Sequence, residues 1–112
     1  MANTYIDANR IPRTMVAGAG EVAEILNRQL AGAENVVATL HWLDGSDHLE
    51  VGEPGFHHLV YLMDGEAVIA LSGSDHRAGK GAGVYLGPSE SARISHAGTS
   101  TLKLFHLRVP KL

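Results

Sequence analysis

The sequence predicts an all-β domain, a barrel or sandwich of short antiparallel strands. Three observations carry this reading. Short runs of β-forming residues recur at roughly 8–12-residue intervals, each closed by a turn signal. Glycine reaches 13 of 112 residues, above the usual ~7% and in keeping with many turns. Finally, Asp64-Gly65 separates two strongly apolar runs, a pattern that marks a hairpin because both residues tolerate the positive φ of primed turns.

At 112 residues the chain suits one domain with a single modest core. Residues 1–35 read as N-terminal strands and loop, and residues 36–110 as the barrel core. Thr14-Met15-Val16-Ala17 is a short β-like run. Gly18-Ala19-Gly20-Glu21-Val22-Ala23 formally matches a dinucleotide-binding fingerprint. That fingerprint needs a good preceding strand inside a parallel sheet, and a chain of hairpins offers neither. Val22, Ile25, Leu26 and Leu30 have helical spacing over residues 21–30. The all-β setting favours a strand over residues 21–27, turning near Gly32, and a strand is the expectation taken here.

From Val36 the period-2 alternation is clear. Val37, Thr39 and His41 oppose Val36, Ala38, Leu40 and Trp42, until Asp44-Gly45 stops the run. Residues 46–55 read as a polar loop carrying His48, Glu50 and Glu53. Residues 56–71 read as a central hairpin with His58, Val60 and Leu62 on one face and Leu59, Tyr61 and Met63 on the other. Residues 72–83 read as a turn-rich connection with His76 and Arg77. Val84-Tyr85-Leu86 and residues 92–96 are short strands. Residues 101–109 form a long closing strand, with Leu102, Leu104, His106 and Arg108 on one face, expected to pair into the hairpin.

Nine basic against twelve acidic side chains give a net charge of -3, so there is no basic footprint for nucleic acid. The absence of cysteine removes disulfides, thiolate catalysis and sulfur-bound zinc. The first fifteen residues do not read as a signal peptide, and no apolar run approaches the ~20 residues of a membrane span. A cytoplasmic protein without membrane partners is expected.

The order of motifs resembles the cupin superfamily over about two thirds of the chain. Tyr61-Leu62-Met63-Asp64-Gly65-Glu66 looks like the end of the first cupin motif. Gly83-Val84-Tyr85-Leu86-Gly87-Pro88-Ser89-Glu90-Ser91-Ala92-Arg93 looks like the second. The resemblance implies an RmlC-like antiparallel jelly-roll β-barrel with one small-molecule pocket. In that family two histidines and a glutamate of the first motif, with one histidine of the second, hold a divalent metal. Counted back from Gly65, the glutamate position is His58, and the two histidines fall near Val51 and Glu53. Counted on from Pro88, the second-motif histidine is Arg93. The usual ligand set is therefore degenerate, and no cofactor is expected. A divalent metal, if bound, would use His58 with His48, Glu50 or Glu53.

Seven histidines in 112 residues are the compositional oddity, and strand position singles some out. His58 shares a face with Val60 and Leu62, where apolar neighbours tune an imidazole for acid–base work. Arg93, placed by its count in the same cavity, would hold an anionic or carbonyl oxygen. His41 and His106, on alternating strand positions, are the further substrate-binding candidates with Val60 and Leu62. His57 should face away from His58. The apolar outer face of Leu59, Tyr61 and Met63 points to a homodimer.

The reading is a small-molecule enzyme of lyase, isomerase or cyclase type, with His58 moving a proton and Arg93 holding the substrate. The rivals are a metal-dependent cupin enzyme (dioxygenase, cyclase or hydrolase) with a rearranged His/Glu site, and a non-enzymatic ligand-binding module.

Overall fold

A computed structural model describes residues 7, 10–26 and 36–111. Residues 27–30 and Gly32, where the helix-or-strand question also fell, lie outside the described set. The described residues form ten strands and no α-helix. In chain order these are β1 (Thr14–Val16), β2 (Gly20–Leu26), β3 (Val37–Leu43), β4 (His48–Val51) and β5 (Phe56–Asp64). β6 (Glu66–Leu71), β7 (Ser74–Gly79), β8 (Gly83–Leu86), β9 (Ala92–Ala97) and β10 (Leu102–Pro110) follow. One sheet has six strands in the order β1-β2-β3-β10-β5-β8, and the other four in the order β4-β9-β6-β7. Every pairing is antiparallel, as the all-β expectation required.

The two sheets face each other and alternation fills the space between them. Leu43, Leu62, Leu86, Leu102 and Leu104 from the larger sheet meet Val51, Ala67, Ile69 and Ile94 from the smaller, all buried. Each such leucine or isoleucine contributes about 1.5–3 kcal/mol by leaving water.

Residues 56–71 are not a hairpin. β5 pairs with β10 and β8, whereas β6 pairs with β7 and β9, so the chain changes sheets at Asp64-Gly65. The turn chemistry expected there is present but serves a corner. Gly65 has φ 84°, and a Cβ on it would come within 2.6 Å of the Thr101 carbonyl oxygen. Close approach of β10 and positive φ together demand glycine.

Two strands were missed. β4 lies in the stretch read as a polar loop, and β7 in the stretch read as turns. β7 exposes Ser74, Asp75, His76 and Arg77 and has no apolar alternation to find, because it is an edge strand. β2 is a strand, as the setting favoured, and helical spacing lost to sheet pairing with β3. The paired glycines before it have structural work. Gly18 has φ 77° in the turn, and Gly20, also at φ 77°, packs against the Trp42 carbonyl where a Cβ would clash.

Candidate active site in the barrel

The inner face of β3, β10 and β5 gathers the polar side chains. Register sets His106 beside Thr39 on one neighbour and Val60 on the other, and Arg108 beside His58. These positions sit two apart on each strand, so all point inward. Below them Leu62, Leu102 and Leu104 close the core.

His58 is almost fully buried, 1% exposed, and both its ring nitrogens are engaged. The Glu53 backbone N–H donates to His58 Nε2 at 3.1 Å. His58 Nδ1 lies 2.9 Å from His106 Nε2, with the two rings stacked at 5.1 Å between centroids. His41 is buried too, its Nε2 2.8 Å from Thr39 Oγ1, and its ring centroid lies 6.0 Å from that of His106. Burial without a counter-charge lowers the pKa of His41 to about 4. Burial, with His41, His58 and Arg108 nearby, lowers that of His106 to about 4. His58 is lowered by burial, against a partial rise from the Glu53 carboxylate. Three neutral imidazoles result.

A cation stands at the rim of this group. Arg108 Nη1 donates to Glu53 Oε1 at 2.7 Å, with the side chains 33% and 46% exposed. Its guanidinium also lies 4.9 Å from the Phe56 ring centre. Alternation placed Arg108 on the His106 face, and that was the signal available. It carried no weight beside Arg93.

Arg93 is not part of this group. On β9, Ala92 and Ile94 are buried and Arg93 is exposed, so Arg93 stands on the outer face of the four-stranded sheet. The motif count is off by one residue, and in a strand one residue reverses the face. Arg93 lines instead an external cleft of about 680 Å³ with Glu50, Ala70, Ser72 and Ser91. His48 and Glu50 fail as partners of His58 for the same reason, since Leu49 and Val51 are the residues of β4 that pack on the core. Val60 and Leu62 are 0% exposed, so they are packed floor and make no surface for a ligand. His57 faces out as expected, 2.7 Å from the Tyr85 hydroxyl. His96 is tied at the opposite end, its ring nitrogens 3.0 Å from the Gly45 carbonyl oxygen and 2.8 Å from that of Ser100.

The four-ligand metal set of the cupin motifs does not fit these residues. Of its positions, Val51 and Arg93 offer no ligand. Glu53 holds Arg108, and both His58 nitrogens are committed. Among the described residues no group of three or more histidines and carboxylates is arranged to hold a metal ion.

No protein-family model matches the sequence, and no curated protein matches it. Solved structures do. A predicted oxalate decarboxylase from Thermotoga maritima superposes with a TM-score of 0.84 at 18% identity, covering 96% of this chain and 99% of its own. The polyketide cyclase RemF from Streptomyces resistomycificus gives 0.79 at 15% identity, covering 97% and 80%. An RmlC-like cupin from Shewanella frigidimarina gives 0.78 at 12% identity, covering 97% and 92%. With two facing antiparallel sheets and these likenesses along nearly its whole length, the chain is a small cupin-fold protein.

Proposed function

We propose that the chain is a small-molecule enzyme of lyase, isomerase or cyclase type, acting at the histidine-lined end of the barrel on a carbonyl-bearing or anionic metabolite. The observation that carries this reading is the His58–His106 contact of 2.9 Å. Two imidazoles from different strands are coupled there beside a third, and beside an arginine. In this reading the chemistry belongs to the group His41, His58 and His106, and His58 acts only through its contact with His106. Arg108 takes the role first given to Arg93. Its ion pair with Glu53 is partly exposed, and pairs of that kind are worth only about 0–1 kcal/mol, so a substrate carboxylate competes for the guanidinium at small cost. The neighbours named for a predicted decarboxylase and a cyclase agree with an enzyme of this general kind, although fold alone does not select a reaction. A turnover screen over 2-oxo acids, β-keto acids and hydroxy ketones tests the reading, with His106→Gln as the matched control. Binding without turnover in every case would move the chain to the ligand-binding alternative.

We propose in addition that the protein is a homodimer. Leu59, Tyr61, Met63 and Tyr85 are each between 37% and 60% exposed on the outer face of β5 and β8. A second copy of that face is the occupant we propose.

A further inference from the structure

The hydrogen-bond chain inside the barrel has a direction. A backbone N–H only donates, so the Glu53 amide makes His58 Nε2 an acceptor and leaves the proton of the neutral ring on Nδ1. That N–H points at His106 Nε2, which must accept. A neutral His106 therefore carries its own proton on Nδ1. Among the described residues His106 Nδ1 has no hydrogen-bond partner, and no buried side-chain nitrogen or oxygen lacks one. His106 Nδ1 thus opens onto accessible space. The same holds for His41 Nδ1, since among the described residues that ring bonds through Nε2 to Thr39 alone.

We propose that His106 presents its Nδ1–H as a fixed hydrogen-bond donor to a carbonyl or enolate oxygen of the substrate, with His58 behind it as the positioning residue that sets the tautomer. This rests on the barrel end being the substrate site. The low pKa of His106, about 4, keeps the ring neutral in use, and a neutral imidazole donor suits an oxygen that gains charge only during reaction. His106 does not pass its proton on. To do so it would have to draw the Nδ1 proton of His58, and His58 could not refill from an amide N–H.

The proton acceptor is then His41, in the tautomer where its Nε2–H donates to Thr39 Oγ1 and Nδ1 keeps its lone pair. A C–H proton next to the carbonyl moves to His41 Nδ1, and the electron pair of that bond becomes the enolate. With a β,γ-unsaturated ketone the developing oxyanion is held by His106, and return of the proton from His41 to the γ carbon of the dienolate completes a double-bond isomerisation. No oxidant or further reactant is required.

The test is long-range proton–nitrogen correlation spectroscopy on nitrogen-15-labelled full-length protein at neutral pH. Wild type should show His106 protonated at Nδ1 and bare at Nε2, and His58 likewise. His58→Gln, whose amide can still donate, should keep His106 in that form, and His58→Leu should release it to a tautomer mixture. Acetone at high millimolar concentration, as the minimal carbonyl probe, should shift the His106 and His41 ring signals while leaving His96 unmoved. His58→Leu should weaken that response about three- to tenfold, the worth of one misaligned donor. An Nε2–H His106 in wild type overturns the inference whatever the barrel binds. An Nδ1–H His106 that ignores both acetone and acetate overturns the oxygen ligand and the substrate-site reading with it.

Discussion

His58 and His106 come from strands that pair side by side, and their rings meet at 2.9 Å with His58 the deeper of the two. The residue that sequence reasoning ranked first is therefore the support, and its neighbour is the one that reaches open space. Removing either should slow turnover for different reasons. His106→Gln should lower kcat by roughly 10²–10³, the usual loss for one oxyanion donor, with little change in stability. His58→Ala should lower kcat and also destabilise by about 1–3 kcal/mol, because the Glu53 N–H loses its acceptor. Steady-state kinetics paired with urea unfolding would separate the two.

Arg108, which no motif count placed, stands beside the histidines, and Arg93 does not. Arg108→Leu should raise KM for an anionic substrate by about tenfold, the loss of a charge-assisted hydrogen bond worth about 1.5 kcal/mol. Arg93→Leu, on the outer face of the four-stranded sheet, should leave both kcat and KM unchanged. Equal effects from the two variants would refute this placement.

Stability should fall as the solution is acidified through the range from about 6.5 to about 4. His41 and His106 have folded pKa values near 4, while exposed imidazoles titrate near 6.5. In that window the unfolded chain binds more protons than the folded one, so unfolding gains free energy as pH drops. The slope reaches at most about 1.4 kcal/mol per pH unit for each histidine. Thermal unfolding followed across this range should show His106→Gln with a shallower decline than wild type. An unchanged slope in that variant would argue against a buried neutral His106.

Gly65→Val should cost well over 2 kcal/mol, since a left-handed φ is strained for a branched residue and its Cβ would also press on the Thr101 carbonyl. Gly73→Ala carries a similar φ, 78°, with nothing within 4 Å of the added carbon, and should cost less. Chemical denaturation of the two variants measures the worth of the close approach itself.

Wild type should be a dimer by light scattering, and Tyr61→Glu combined with Met63→Lys should yield a monomer at the same concentration. Both side chains are partly exposed on the outer face, so the fold should survive, as circular dichroism would show.

Alternation made the barrel legible where strands had one apolar face. β5, β8 and β10 could be read because Val60, Leu86 and Leu104 recur at period two among polar or outward neighbours, and on β3 the inward positions are Thr39, His41 and Leu43. β7 escaped because an exposed edge strand has no buried side chains to betray it. The hairpin expected over residues 56–71 failed on a subtler point. Asp-Gly signals a reversal of direction, and the sequence does not state whether the returning strand rejoins its own sheet. The site was half legible. His41, His58 and His106 were all named, because imidazoles at alternating positions of apolar strands stand out, although alternation left the facing of His41 and His106 open. Arg93 was misplaced because a count carried across the 87–91 loop has no tolerance for one residue.

β10 is synthesised after both strands it joins, pairing with β3 on one side and β5 on the other. Until it is inserted, the nascent sheet has a gap flanked by two open strand edges, and neither His106 nor Arg108 is in place. The site cannot exist in a partly made chain. Its formation waits on contacts between residues as far apart as His58 and His106, which places folding among the slower, long-range class. While the gap is open, the facing edges of β3 and β5 are also where one growing chain would most readily capture another.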